Sequence, residues 1–97
     1  MKTKESILQV LRSMKSDLAS QYHVRSLALF GSYSRGDQTE QSDVDILVEF
    51  ETPISGLKFV NLAEAIEHRV GLPADVVPAD GVKPHHLKFI QKDLVYV

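Results

Sequence analysis

Two aspartates interrupt an otherwise apolar segment in the middle of the chain, and this segment constrains the fold more than any other. Asp43 and Asp45 alternate with aliphatic residues, and the apolar run Ile46–Val48 follows them. On a β-strand, residues i and i+2 face the same side and lie about 7 Å apart. The sequence therefore predicts a core strand over Asp43–Phe50 that places two carboxylates side by side. Adjacent anions repel each other, and a bridging divalent cation best relieves that repulsion.

A glycine-serine pair ends an earlier apolar run. We expect a strand over Val24–Phe30 and a sharp turn at Gly31, because glycine adopts backbone conformations that other residues avoid. Ser32 can cap a short helix over Tyr33–Arg35. Backbone N–H groups at a helix start, together with a serine hydroxyl, can bind a phosphate group. Taken alone, the pair is more typical of an ordinary turn with a serine cap than of a phosphate site.

Hydrophobic periodicity predicts the remaining elements. Apolar residues recur with a period of 3.6 in two long segments, which is typical of amphipathic helices, and Gly71 is placed as a helix stop. The expected elements are a helix from about Lys4 to Ser20, a helix from about Leu57 to Val70, a strand over Ala74–Val77, a helix from Pro84 to about Lys92, and a tail over 94–97 that forms either a strand or a contact segment. The pattern predicts one α/β (α+β) domain over residues 1–97, with a small mixed β-sheet and helices packed against it.

Composition excludes several classes of function. The 97 residues are 43% hydrophobic and carry a net charge of −2, from 11 Lys and Arg against 13 Asp and Glu. No basic run is present, so the sequence disfavours a nucleic-acid-binding protein. No apolar stretch approaches the roughly 20 residues that span a bilayer. The start of the chain lacks the apolar segment of a signal peptide, and we expect a cytoplasmic protein. The absence of cysteine excludes disulfides and Cys-based zinc sites.

Two further charged residues are candidates for the same site. If the strand that carries Asp75 pairs beside the Asp43–Phe50 strand, Asp75 joins the other two carboxylates. It would then accept the proton of an attacking hydroxyl or share a metal. Arg35 follows Ser32 by about one helical turn and has the geometry to bind phosphate oxygens bidentately. The alternative for Arg35 is a surface ion pair with Asp37 or Glu40.

The combination of these residues is more specific than any of them alone. The order is Gly31-Ser32, ten intervening residues, Asp43-x-Asp45, and Asp75 thirty residues later. It resembles the nucleotidyltransferase superfamily of DNA polymerase β. The segments Leu29–Gly36 and Ser42–Phe50 are especially similar to the minimal nucleotidyltransferases that act as antitoxin subunits of HEPN–MNT toxin–antitoxin pairs. Ser34 stands where many members carry alanine.

The resemblance implies a nucleotidyltransferase fold and an activity. Members bind ATP with two Mg²⁺ ions and transfer AMP to a protein hydroxyl, which in the toxin–antitoxin branch is a tyrosine of a HEPN ribonuclease toxin. A complex of the two proteins, a hetero-oligomer, is then expected. Carried over to this sequence, the resemblance implies that Gly31 and Ser32 hold the triphosphate. Asp43, Asp45 and Asp75 would bind metal, and Asp75 would also help to deprotonate the acceptor. It assigns no firm role to Arg35.

Two other functions remain compatible with the sequence. The chain could neutralise a toxin by binding alone, although a purely sequestering protein has no reason to keep three like charges together. It could also transfer a nucleotide to a small molecule, but 97 residues leave little room for the extra substrate-binding structure that such enzymes need.

Overall fold

One four-stranded mixed sheet with helices packed on it makes up the computed structural model, which describes residues 2–97. In chain order the elements are α1 (Lys4–Tyr22), β1 (Val24–Phe30), α2 (Ser32–Arg35), β2 (Val44–Phe50), α3 (Gly56–Val70), β3 (Ala74–Pro78), a 3₁₀ turn (Ala79–Gly81), α4 (Pro84–Gln91) and β4 (Val95–Tyr96). The strands lie in the order β3-β2-β1-β4. The predicted fold class, a small mixed sheet with helices, is confirmed.

The strand directions follow from the connections. β1 pairs antiparallel with both β2 and β4, whereas β2 and β3 pair in parallel. Parallel neighbours need a crossover connection, and α3 supplies it between β2 and β3. The strand that carries Asp45, β2, is therefore central, flanked by β1 on one side and by β3 on the other.

The first helix is formed by an amphipathic sequence with a clear start and end. Thr3 caps its N-terminus by accepting a hydrogen bond from the Ser6 backbone N–H at 3.2 Å, and His23 ends it in a left-handed conformation with φ of 60°. Its buried residues recur every three or four positions: Ile7, Leu8, Leu11, Met14 and Leu18. Even this 19-residue helix is amphipathic, and within residues 2–97 no helix has the length and apolarity that crossing a bilayer requires.

The crossover helix α3 also has distinct caps. The Ser55 hydroxyl accepts a hydrogen bond from the Lys58 backbone N–H at 3.1 Å, and Gly71 ends the helix with φ of 78°, where a side chain would be strained. Leu62, Ile66 and Val70 are fully buried along one stripe. This stripe and the buried stripe of α1 belong to one hydrophobic cluster on a single face of the sheet.

The two faces of the sheet differ in what covers them. One face points into the main core, where Leu29 of β1 and Val44, Ile46 and Val48 of β2 are completely buried. Strand alternation places Asp45 and Leu47 on the opposite face. Ala28, Leu47 and Ile90 of α4 are buried without belonging to the main core cluster. These three residues indicate a thinner apolar layer on the second face. That layer does not cover the end of the face where Asp45 lies.

Several element boundaries differ from the sequence-based expectations. The structure extends α1 to Tyr22 rather than Ser20, and it begins β2 at Val44, so Asp43 precedes the strand instead of opening it. The carbonyl of Pro73 accepts the Val44 N–H at 2.9 Å, and this bond is where regular pairing starts. Of the two alternatives for the tail, a strand is found, since Val95–Tyr96 pairs with β1.

Candidate active site

Gly31 lies directly against the central aspartate. Its φ of 79° and ψ of −156° fall in a region that only glycine occupies readily. A Cβ placed on Gly31 would collide with Oδ2 of Asp45 and lie 3.0 Å from its Cγ. Two separate constraints therefore require glycine at this position: the backbone conformation and the space taken by the adjacent carboxylate. The backbone of the turn therefore lies close to the Asp45 carboxylate.

The short helix α2 begins at this turn. The Gly31 carbonyl accepts the backbone N–H groups of Ser34 and Arg35, each at 3.0 Å. The N–H groups of Ser32 and Tyr33 precede the first helical hydrogen bond and have no acceptor within the helix. Ser32 is half-buried at the first helical position. The prediction that Ser32 caps this helix is wrong, because Gly31 is the N-cap and no side chain caps the helix. The turn beside Asp45 nevertheless presents backbone donors and the Ser32 hydroxyl, and their binding of phosphate stays a prediction.

The strand register brings two of the predicted carboxylates together. Asp45 pairs with Phe30 of β1 on one side and with Asp75 of β3 on the other. Adjacent strands lie about 4.8 Å apart, and residues in register point to the same face. The start of β3 is held by Glu67, whose Oε2 accepts the Ala74 backbone N–H at 3.0 Å. The condition stated for Asp75, that its strand pairs beside β2, is therefore met.

The third carboxylate lies at the edge of this group. Asp43 stands one residue before β2 and is exposed, as is Asp75, whereas Asp45 is half-buried. Burial raises the pKa of Asp45 above its usual value, and the charges of Asp75 and Asp43 raise it further. Arg35 acts in the opposite direction. The negative charges of Asp75 and Asp43 thus disfavour ionisation of Asp45, and a cation at Asp45 would stabilise its ionised form.

The donor set fits a hard divalent cation whose coordination is completed by substrate. Carboxylate oxygens are the ligands that Mg²⁺ prefers, and this ion keeps waters and substrate phosphate oxygens among its ligands. In the part of the chain that the structure describes, no three His, Cys, Asp or Glu side chains form a ready metal cage. Phosphate groups of a bound substrate would supply the remaining ligands.

Arg35 is engaged in ion pairs. Its Nε donates to Asp37 at 3.1 Å, and its Nη1 donates to Asp93 at 2.8 Å. These hydrogen bonds raise the pKa of the guanidinium. The sequence suggested Asp37 or Glu40 as surface partners, and of these the structure shows Asp37. The structure also places Arg35 close enough to Asp45 for the guanidinium charge to lower the pKa of that carboxyl. The assignment of Arg35 to nucleotide binding stays a prediction.

Asp93 is a residue that the sequence reasoning missed. Besides its ion pair with Arg35, its main-chain carbonyl accepts a hydrogen bond from the Ser34 hydroxyl. Asp93 therefore ties α2 to the connection between α4 and β4. No local sequence pattern predicts these contacts, because Asp93 lies 58 positions from Arg35 and 59 positions from Ser34 in the sequence.

A separate cavity of about 580 Å³ lies at the other end of β2, between the segment around Phe50, the start of α3 and the 3₁₀ turn. None of the six predicted site residues lines it. The carboxylates instead lie at a more open part of the surface, where Asp43 and Asp75 are exposed.

Comparisons with known proteins agree with this geometry. The family described as the nucleotidyltransferase domain matches residues 8–97. The protein adenylyltransferase MntA of Thermococcus cleftensis is 42% identical over 97 residues, covering 100% of this chain and 98% of that protein. A structure solved for a candidate minimal nucleotidyltransferase is 28% identical and superposes with a TM-score of 0.80, covering 97% of this chain and 95% of that one.

A more distant structure shares the fold alone. It is the complex of a tri-AMPylated HEPN toxin of Shewanella oneidensis with an MNT antitoxin. The match has a TM-score of 0.62 and 18% identity, and it covers 96% of this chain and 66% of that one. Together the matches confirm the predicted minimal nucleotidyltransferase fold.

Proposed function

Because the chain belongs to the nucleotidyltransferase domain family and is a nucleotidyltransferase, we propose that residues 1–97 act as a single-domain protein adenylyltransferase and antitoxin. In this proposal the chain transfers AMP from ATP, with two Mg²⁺ ions, to a tyrosine hydroxyl of a HEPN ribonuclease toxin. The transfer silences the toxin. The reaction takes place in the cytoplasm, within a hetero-oligomeric complex of the two proteins.

One observation supports the chemistry above all others. Asp45 and Asp75 stand in register on neighbouring strands, and Gly31 of the turn touches the Asp45 carboxylate. Donors for a triphosphate and carboxylates for a cation therefore meet at one point of the sheet. Nucleotidyl transfer needs this combination, because negative charge develops on the α-phosphate and on the departing pyrophosphate.

Each residue then has a defined task. The backbone N–H groups after Gly31 and the hydroxyl of Ser32 bind and orient the triphosphate. Asp43 and Asp45 hold the metal ions, which stabilise the developing charge on the phosphates when bound. Asp75 lies beside Asp45 and accepts the proton of the acceptor hydroxyl. The hydroxyl oxygen bonds to the α-phosphorus, and the bond from that phosphorus to the bridging oxygen of the β-phosphate breaks, so that pyrophosphate leaves.

The nature of the acceptor is supported by the relatives. The Thermococcus protein is a protein adenylyltransferase by name, and in the Shewanella complex the AMP groups are carried by the HEPN toxin. The open position of Asp43 and Asp75 agrees with a macromolecular acceptor. Asp43 and Asp75 are exposed and the cavity of about 580 Å³ is lined by other residues, so these observations favour a protein acceptor over a small molecule.

The test is transfer to a HEPN protein from the same organism. The chain is co-expressed with that protein, and intact-mass spectrometry of the partner is expected to show a gain of whole AMP units located on tyrosine. Asp43→Asn serves as the inactive comparison, and Asp80→Asn, an exposed acid in the 3₁₀ turn, as the matched control. An unmodified partner whose ribonuclease is nevertheless inhibited, equally well by Asp43→Asn, would establish inhibition by binding alone and contradict the proposal.

A further inference from the structure

The last helix carries a charge opposite to that of the rest of the chain. Residues 82–92 contain none of the 13 Asp and Glu residues, although the chain as a whole has a net charge of −2. They contain three lysines and two histidines: Lys83, Lys88, Lys92, His85 and His86. A local cationic segment on an acidic protein produces a positive surface that an acidic partner would recognise.

The helical repeat gathers part of this charge around one aromatic residue. His85, Lys88, Phe89 and Lys92 are spaced at i, i+3, i+4 and i+7, and they therefore share one face of the helix, here called the α4 face. All four are exposed, and the Phe89 side chain is 67% exposed. Ile90, on the opposite side of α4, is buried. Phe89 is not needed for packing α4 onto the sheet.

The lysines of the α4 face are not neutralised within the chain. The ion pairs found among residues 2–97 involve only the arginines Arg25 and Arg35. Lys88 and Lys92 have no carboxylate within 4 Å in that part of the chain. Both lysines share the α4 face with the exposed phenyl ring of Phe89, and their positive charge faces solvent.

The α4 face begins beside the candidate active site. Lys92 is directly followed by Asp93, which holds Arg35 at 2.8 Å and also binds the Ser34 hydroxyl. Arg35 in turn acts on the charge of Asp45. From His85 to Lys92, seven residue steps at 1.5 Å each span about 10 Å of helix. A protein lying along this face would therefore reach the neighbourhood of the carboxylates.

We propose that the α4 face is the docking surface for the acceptor protein, and that it binds an acidic surface of that protein with an apolar pocket for Phe89. This inference rests on the proposed function, because it assumes a protein acceptor. Aromatic residues surrounded by complementary charges are typical centres of binding energy in protein interfaces. Nucleic acid fits less well, because the three aspartates nearby repel a polyanion and the three lysines form no extended basic surface.

Binding is measured by calorimetry without ATP and in chelator, so that no transfer takes place. The probe is the HEPN protein used in the transfer experiment. Phe89→Ser tests the aromatic contact, and Leu57→Ser, at a position that is 74% exposed on α3, is its matched control. The double variant Lys88→Glu/Lys92→Glu tests the charge. The exposed pair Arg12→Glu/Lys15→Glu on α1 makes the same change in net charge.

We expect both α4 variants to weaken binding at least about tenfold, with both controls within about threefold of the unmodified protein. The loss from the double variant is expected to shrink between 50 and 300 mM salt, because salt screens surface charges. The loss from Phe89→Ser should depend little on salt. The rise in melting temperature on addition of Mg²⁺ and ATP should be the same in all of these variants, since none touches the nucleotide.

Each contrary result identifies what is wrong. Unchanged partner binding by both α4 variants would overturn the docking surface, whether or not transfer takes place. A lost response to Mg²⁺ and ATP would assign the lysines to the nucleotide instead. Single-stranded RNA and anionic phospholipid vesicles are tested in parallel, and binding to either that depends on Lys88 and Phe89, with partner binding unchanged, would also overturn the proposal. Partner binding that depends on the α4 face without any AMP transfer would refute the proposed function alone.

Discussion

The two faces of the central strand β2 have different roles: one packs into the core and the other carries a carboxylate of the candidate site. On one face Val44, Ile46 and Val48 are completely buried in the main core. On the other face Asp45 is half-buried between Phe30 and Asp75, and its pKa is raised. Residues one position apart in the sequence therefore differ in role, because alternation along a strand sends them to opposite faces.

The comparison shows how so small a domain can hold a charged site. The apolar face lies in one hydrophobic cluster with buried residues of α1 and α3. Because a shift of one residue would turn this face out of the core, its burial favours a single register of β2. The same register places Asp45 beside Asp75 and against Gly31 without any help from the acidic face itself. Stability and chemistry are thus carried by alternate residues of one strand, and substitutions on the two faces should affect different measurements.

Removing a carboxylate from the acidic face should give the largest effect on activity. We expect Asp43→Asn to lower AMP transfer by a factor of about 100 to 1,000, because charge stabilisation at the reacting phosphates is lost. The melting temperature should change little, since Asp43 is exposed and precedes the strand. Initial rates with Mg²⁺ and ATP, compared with those of Asp80→Asn, measure this. Full wild-type rates in excess chelator would show that no metal is involved.

On the buried face we expect the opposite: a substitution there should lower stability and leave activity per folded molecule nearly unchanged. Ile46→Ala should lower the free energy of unfolding by about 2–5 kcal/mol, because it leaves a cavity in a fully packed core. The transfer rate per folded molecule, measured well below the melting temperature, should stay close to that of the wild type. Urea unfolding of Ile46→Ala beside Leu57→Ala, which truncates an exposed leucine, gives the comparison. A folded Ile46→Ala protein without activity would show that the two faces are not separable.

Gly31 is the position where the two roles meet, so its substitution should affect both measurements. Gly31→Ala forces a side chain into a backbone region that disfavours it and displaces the Asp45 carboxylate. We expect transfer to fall by more than tenfold and the melting temperature to drop. Ser32→Ala is the milder neighbour, with a loss of about three- to tenfold for one hydrogen bond and no loss of folding. If Gly31→Val transfers AMP as well as the wild type, the turn does not bind phosphate.

The sequence predicted most of this arrangement because its signals are local. The stripe of α1 and the alternation of β2 are visible in short windows, and the Gly31 turn needs one special residue. Asp43 was wrongly placed inside the strand, because pairing starts only where Pro73 bonds to Val44. Asp93 was missed because its contacts depend on how distant segments pack, which no local window contains.

Substitution of Arg35 should have a smaller effect, and it distinguishes a role in nucleotide binding from a role in anchoring α2. If Arg35 binds the triphosphate, Arg35→Ala should raise the KM for ATP several-fold, whereas Asp93→Asn should not, because it leaves the guanidinium in place. Both substitutions should change the free energy of unfolding only slightly, since Arg35 is exposed and water screens its ion pairs. Equal changes in KM for the two variants would instead indicate that Arg35 acts by anchoring α2 to the α4–β4 connection.

The smallest expected effect concerns the stability of the metal-free protein and its dependence on pH. The pKa of Asp45 is raised in the folded state by burial and by Asp75 and Asp43, whereas the unfolded value is about 3.9. Below that value both states hold the proton, and the fold has its full stability. As the pH rises through the folded pKa, the unfolded state ionises more easily, so ionisation of Asp45 destabilises the fold.

Asp45→Asn removes this charge at nearly constant shape, so the stability difference between variant and wild type in chelator should appear as the pH rises above about 4. It should favour the variant by no more than about 1 kcal/mol, because water screens a half-exposed carboxylate. Adding Mg²⁺ and ATP should stabilise the wild type, which binds them only when folded, and leave the inactive variant unchanged. Thermal melts across pH 4–8 measure both effects. If metal-free Asp45→Asn melts well below the wild type at neutral pH, then Asp45 stabilises the fold as the buried face does. The conclusion that the two faces of β2 serve stability and chemistry separately would then be wrong.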